Sequence, residues 1–120
     1  MFALTAANKY EYYAKPCDMR KGFNTLCGLV ANELGRKTIC GDVFVFINKP
    51  RNTIKLLHWE VDGLVIYHKR LEKGTFGQPQ ITPGESQIRW PELVLMLEGI
   101  RPVKLHRKPR FSLENIAKKV

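Results

Sequence analysis

Three apolar runs of strand length occupy the middle of the chain, and residues typical of turns separate them. The runs are Val43–Ile47, Ile54–Trp59 and Leu64–Lys73. β-Branched and aromatic residues dominate them, as is usual in strands. Pro50 falls in the loop after the first run, outside the strands, because proline cannot donate to a sheet ladder. The pattern predicts a three-stranded antiparallel meander on which the rest of the chain packs.

The connection between the second and third runs contains the pair Asp62-Gly63. An Asp-Gly pair between apolar runs is a strong hairpin signal, because a type I′ turn needs φ > 0 at both central residues. If these two residues form the turn, the strand register follows. It pairs Val61 with Leu64, Trp59 with Ile66 and His58 with Tyr67.

A helical pattern precedes the meander. We expect Asp18 to cap a long helix from Met19 to Leu34, and Gly35 to end this helix as its C′ glycine. Apolar residues recur at spacings of four, three, four and four, which corresponds to one helical face. These residues are Met19, Phe23, Leu26, Val30 and Leu34. This face is expected to pack on the sheet.

Shorter elements are expected on either side. The segments 10–14 and 87–90 have the composition of short strands, and Pro91 suits the first turn of a second helix. Leu93–Leu97 is apolar on all sides, so we expect it to be buried against the domain or a partner. The sequence thus predicts one α+β domain over residues 1–100. In this domain a small antiparallel β-meander carries a long N-terminal helix, a short C-terminal helix closes one end, and a basic extension follows over residues 101–120.

The net charge of +9 is unevenly distributed along the 120 residues. Arg101–Val120 carries seven basic residues against one acidic residue, whereas Asp42–Ile100 carries seven of each. A neutral core segment followed by a strongly cationic C-terminal segment indicates a polyanionic partner, and nucleic acid is the usual one.

The remaining composition indicates the compartment. Cys17, Cys27 and Cys40 are odd in number and widely spaced, which predicts reduced thiols in a cytoplasmic protein. We expect no membrane association, because no apolar run approaches the roughly 20 residues of a membrane span. The first residues also lack the basic and apolar regions of a signal peptide.

Several motifs in order resemble one known family, the small accessory protein of the insertion sequence 66 family. The motifs are Asp18–Phe23, Val43–Phe46, Ile54–Trp59, Asp62–Leu64, Lys69–Gly74 and Leu97–Ile100, and the resemblance covers roughly residues 9–100. It implies a role in transposition beside a separate transposase of the same element. It implies no catalytic residues.

The candidate nucleic-acid contacts are basic residues in three groups. They are Arg20 and Lys21 at the expected helix start; Lys49, Arg51, Lys55, Lys69, Arg70 and Lys73 along the meander; and Lys104, Arg107, Lys108 and Arg110 in the extension. Short basic segments bind polyanions through counterion release. The alternatives are a solvated helix start, edge-protecting charges on the sheet and a loosely ordered extension without one partner.

No pattern of catalytic or metal-binding residues stands out. The three histidines lack metal-ligand spacing, and His58 and His68 are expected on opposite faces of their hairpin. The carboxylates are scattered, and Cys17 has no partner base. We therefore expect no cofactor and no metal.

The leading functional prediction is a non-catalytic accessory protein of transposition. It would bind DNA mainly through phosphate contacts and assist a separate transposase. The alternative is a protein-interaction module that docks on the transposase, or self-associates, through Leu93–Leu97 without binding DNA directly.

Overall fold

A computed structural model of the chain describes residues 4–81 and 84–98. This part of the chain is mainly β, with five strands in one mixed sheet, two short α-helices and a π-helical segment. The elements in chain order are β1 (Tyr10–Tyr12), α1 (Phe23–Leu29), the π-helical segment (Val30–Leu34), β2 (Val43–Ile47), β3 (Thr53–Glu60), β4 (Gly63–Arg70), β5 (Gln87–Ile88) and α2 (Trp90–Leu97). The strand order is β4-β3-β2-β1-β5.

The predicted meander is present as β2, β3 and β4, but the sheet is larger than the prediction. β1 lies beside β2 in parallel, with Tyr10 opposite Val43, and β5 pairs antiparallel to β1, with Ile88 opposite Tyr10. The short strands expected at both ends of the core therefore form, and they join the same sheet. The prediction of an α+β fold built on a small antiparallel meander was wrong, because the sheet is mixed and dominates the structure.

The prediction of a long N-terminal helix was also wrong. Asp18 does not cap a helix: its carboxylate accepts from the Arg20 backbone N–H at 2.9 Å, and Gly22 is extended with φ −104° and ψ −159°. An aspartate that bonds nearby backbone groups stabilises a turn at the expense of a helix. The α-helix begins only at Phe23, and it changes to π-helical geometry at Val30.

The end of this helical stretch is as predicted. Gly35 follows the π-helical segment in the left-handed conformation, with φ 65° and ψ 29°. Glycine has no Cβ and adopts this conformation without steric cost, which is why it commonly ends helices.

Both faces of the sheet are covered, and each has its own core. On the α2 face, strand residues pack with residues of α2 and of the segment after β4: Val43, Val45, Ile54 and Leu56 with Leu93, Met96 and Phe76. On the α1 face, strand residues pack with the helical stretch and the segment after β1: Phe44, Phe46 and Leu57 with Leu26, Val30 and Tyr13. All five residues of β2 are buried, as a continuous apolar strand with both faces covered requires.

The second helix thus packs on a face of the sheet and does not close an end. Within the described ranges no helix has the length and apolar character needed to cross a bilayer.

The β3–β4 hairpin turns one residue earlier than predicted. Glu60 pairs with Gly63, so the turn residues are Val61 and Asp62, and Trp59 lies opposite Leu64. Moving the turn by one residue leaves each side chain on its original face, so the apolar pattern could not distinguish the two registers. His58 and His68 do lie on opposite faces, as predicted, because His68 pairs with Lys55.

The observed turn places a β-branched residue in an unfavourable conformation. Val61 has φ 51° and is 95% exposed, so its side chain adds little packing energy. The left-handed region costs a non-glycine residue roughly 1–2 kcal/mol. We expect Val61→Gly to raise the free energy of unfolding by about 1 kcal/mol, after allowance for the greater entropy of glycine in the unfolded chain.

Denaturant unfolding measures this change, with Val61→Ala as the matched control. Alanine keeps a Cβ and should gain less than glycine. A glycine variant that is less stable than the natural protein would contradict the assigned turn.

Candidate nucleic-acid interface

The sheet brings three separate segments, 17–21, 48–55 and 69–77, to one of its ends. The backbone N–H of Cys17 donates to the carbonyl of Ile47 at 2.9 Å, which places the first segment beside the end of β2. The N–H of Leu71 donates to Asn52, and that of Phe76 donates to Arg51. The three segments are therefore tied together by main-chain hydrogen bonds.

These segments contain all eight candidate cations of the described part of the chain, and we call this region the basic end. The eight are Arg20, Lys21, Lys49, Arg51, Lys55, Lys69, Arg70 and Lys73. The same segments contain two acidic residues, Asp18 and Glu72. At the opposite end, segments 35–42 and 59–63 contain two basic and three acidic residues. The fold thus concentrates positive charge at one end of the sheet.

Arg51 has an internal role. Its guanidinium donates to the carbonyls of Phe76 at 3.1 Å and Gly77 at 2.7 Å, and to the hydroxyl of Tyr12 at 3.2 Å. Its own backbone adopts φ 62° in the β2–β3 loop. Arg51 therefore joins the β2–β3 loop to the segment after β4, and its side-chain donors are already in use.

Lys55 and Lys69 also donate to main-chain carbonyls. The Nζ of Lys55 bonds the carbonyl of Lys21 at 2.7 Å, and only 7% of the residue is exposed. The Nζ of Lys69 bonds the carbonyl of Leu97 at the C-terminal end of α2, where carbonyls without helical partners attract cations. These two lysines attach segments to the two faces of the sheet.

Arg20 is exposed but paired. Its guanidinium contacts the Asp18 carboxylate at 2.7 Å, and this arginine holds the pKa of Asp18 well below its ordinary value. Both residues lie in the turn before α1, so they do not form the helix start that the sequence suggested.

Four cations of the basic end make no side-chain hydrogen bond or ion pair within the described residues: Lys21, Lys49, Arg70 and Lys73. Lys21 is half-buried, and the other three are exposed. They come from all three segments, so only the fold brings them to the same end of the sheet. We call them the unpaired cations.

A cleft of about 450 Å³ opens beside one of the unpaired cations, Arg70, and is lined by Met19, Thr53, His68, Arg70 and Glu72. Burial is the first cause that lowers the pKa of His68, and the charges of Lys55 and Arg70 lower it further. Two cations thus lie near this histidine, and one carboxylate, that of Glu72, also lines the cleft.

The sequence did not indicate a second charged cluster. Arg36 contacts Glu11 at 3.0 Å and also pairs with Asp42, and the hydroxyl of Ser86 donates to Glu11. Glu11 is 6% exposed, so its charge requires these partners. The feature of the sequence that could have indicated this cluster is Glu11, a charged residue between Tyr10 and Tyr12 in a predicted strand. Within residues 4–81 and 84–98, no three His, Cys, Asp or Glu side chains are grouped as metal ligands.

The four remaining candidates, Lys104, Arg107, Lys108 and Arg110, lie outside the described residues. Their contribution to a DNA contact stays a prediction.

The family model described as IS66 Orf2 like protein matches residues 9–107, and the chain belongs to this family. The resemblance seen in the sequence motifs is therefore confirmed. The chain is an accessory protein associated with the transposition of an insertion element.

Two proteins of Sinorhizobium fredii (strain NBRC 101917 / NGR234) are similar to the chain. The protein y4jC is 33% identical over 95 residues, which cover 79% of this chain and 81% of y4jC. The protein y4hO is 31% identical over 83 residues, which cover 69% of this chain and 72% of y4hO. No solved structure matches the chain.

The different roles of neighbouring cations lead to a stability prediction. Arg51→Ala removes the three side-chain hydrogen bonds of a half-buried guanidinium and leaves two carbonyls without their donor. We expect a loss of about 2 kcal/mol in the free energy of unfolding.

Lys49→Ala is the matched control, because it removes an exposed cation of the same loop, and its effect should stay within about 0.5 kcal/mol. Denaturant unfolding of both variants measures the difference. Equal effects would show that Arg51 does not hold the loop.

Proposed function

We propose that this accessory protein binds DNA through sequence-independent phosphate contacts and so assists a separate transposase of the same element in the cytoplasm. The observation that supports this most strongly is the set of unpaired cations at the basic end. Three of the four are exposed, and the hydrogen bonds among the three segments hold their backbones in fixed relation.

The basic end suits phosphate groups better than a protein carboxylate patch. Its cations are spread over three segments. They therefore suit the successive phosphates of a nucleic-acid backbone better than one isolated carboxylate. Each phosphate that a lysine or arginine neutralises releases condensed counterions, which favours binding without any contact to a base. His68 and the cleft beside it add a donor near two cations.

The segment 101–120 extends the same proposal. Its net charge of +6 adds to the charge of the basic end. In this proposal the folded body orients the DNA through the unpaired cations, and the basic segment contributes further phosphate contacts through Lys104, Arg107, Lys108 and Arg110.

The docking alternative has less support. It relied on an apolar Leu93–Leu97 segment, yet Leu93 and Met96 are fully buried against the sheet. The apolar surface that this helix offers to a transposase is therefore reduced. We also propose no bond-making step for the chain itself, because the buried carboxylates of Glu11 and Asp42 are engaged by Arg36.

The proposal makes a quantitative prediction about salt. Binding to a random duplex should weaken steeply as salt rises, and the logarithm of the association constant should fall linearly with the logarithm of salt concentration. Replacing Lys21, Lys49, Arg70 and Lys73 together by alanine should reduce the magnitude of this slope by about 3.6, since each of the four lost phosphate contacts removes about 0.9. Fluorescence anisotropy of a labelled duplex measures both values.

The control variant replaces Lys9 and Lys37, two exposed lysines at the opposite end of the sheet, and should keep the natural slope. A duplex carrying the terminal repeats of the element should compete about as well as a random one. A fourfold variant with an unchanged slope, or natural protein with no salt dependence, would contradict the proposal.

A further inference from the structure

β4 is an edge strand of the sheet that the described residues form. Among the described strands it pairs only with β3, and it runs for eight residues without a proline. Leu64–Tyr67 at its centre is apolar and only partly covered, and Val65 is 38% exposed. Natural proteins usually protect long edges with prolines, bulges or charges. Here the charged residues lie at the two ends of the edge, with Asp62 at one and Lys69 and Arg70 at the other.

The backbone groups that point outward can be assigned. The N–H of Leu71 donates to the carbonyl of Asn52 at 2.8 Å, which continues the register of β3 and β4. Hydrogen-bonded pairs alternate along an antiparallel ladder, so the odd-numbered residues of β4 bond to β3. Leu64, Ile66 and His68 therefore direct their N–H and C=O groups away from the sheet.

An identical strand can pair antiparallel with this edge about a two-fold axis. Two-fold symmetry is the commonest symmetry of homo-oligomers. The axis is then perpendicular to the sheet, and the residue on the axis lies opposite its own copy. The numbers of any two paired residues therefore add up to twice the number of that residue, which is even. Two such registers overlap most of β4, one with Ile66 opposite itself and one with Tyr67 opposite itself.

Charge distinguishes the two registers. With Tyr67 on the axis, Asp62 lies opposite Glu72 of the partner subunit, and two carboxylates face each other. With Ile66 on the axis, Asp62 lies opposite Arg70 of the partner subunit, and symmetry repeats this pair. The second register also places Val65 opposite Tyr67 of the partner subunit, and cross-strand pairs of a β-branched and an aromatic residue are favourable.

We propose that the chain forms a two-fold dimer in which β4 pairs antiparallel with β4 of a second copy, with Ile66 on the axis. The outward N–H and C=O groups of Leu64, Ile66 and His68 supply the ladder. The pair of Asp62 with Arg70 of the partner subunit sets the register. The dimer joins two five-stranded sheets into one. Arg70 is also one of the unpaired cations of the DNA proposal, but the dimer itself requires no nucleic acid.

Charge exchange tests the dimer with the full chain and without nucleic acid. Asp62→Arg places two arginines opposite each other, and Arg70→Asp places two aspartates opposite each other. Because symmetry applies each repulsion twice, we expect each single variant to raise the dimer dissociation constant by about 10-fold or more. Sedimentation equilibrium measures this constant, and circular dichroism confirms that each variant is folded.

An equimolar mixture of the two single variants provides the decisive comparison. In the mixed dimer, the introduced arginine of one variant faces the introduced aspartate of the other, and the natural Asp62 and Arg70 face each other at the second contact. Dimerisation should therefore return to nearly the natural level. A chain carrying both exchanges should also dimerise.

Two results would overturn the proposal. One is natural protein that stays monomeric up to sub-millimolar concentration. The other is a pair of folded single variants that dimerise as well as the natural protein.

Discussion

The main-chain pairing of β2, β3 and β4 is the constraint on which the rest of the structure depends. It makes segments 48–55 and 69–77 neighbours at one end of the sheet, and the hydrogen bond from Cys17 to Ile47 at the end of β2 adds segment 17–21. Eight basic residues come with them, and their mutual repulsion must be offset. Arg51, Lys55 and Lys69 offset part of it by donating to carbonyls, which carry partial negative charge. Their positive charges thus stabilise the end of the sheet on which the unpaired cations lie.

The burial of both sheet faces explains why this small domain can hold such an arrangement. β2 is apolar throughout, and helices cover it from opposite sides. β1 enters the sheet in parallel beside β2 and brings Glu11 into the interior, where Arg36 compensates its charge. The arginines of the structure thus have different roles. Arg36 and Arg51 make internal contacts that hold the fold together, whereas the side chain of Arg70 is exposed to solvent.

The parts of the fold that depend on local patterns could be predicted from the sequence. The three strands of the meander, the glycine at position 35 and the opposite faces of His58 and His68 all follow from residue spacing. The start of the first helix could not be predicted correctly. The apolar spacing begins at Met19 and continues through a segment where Asp18 and Gly22 favour a turn. The hairpin register was ambiguous because both turns leave the faces unchanged.

The candidate site, too, could be predicted only in part. The sequence identified the basic residues but could not separate those with internal partners from those without, since the carbonyls that Arg51, Lys55 and Lys69 contact are 25 to 34 residues away along the chain.

Amide hydrogen exchange with and without duplex DNA tests the central claim most directly, because it reports which backbone segments a ligand protects. If the basic end binds DNA, exchange should slow in segments 48–52 and 70–76 and stay unchanged in segments 36–42 and 60–63. Protection confined to the opposite end of the sheet, or no protection at either end when the protein is saturated with DNA, would contradict it.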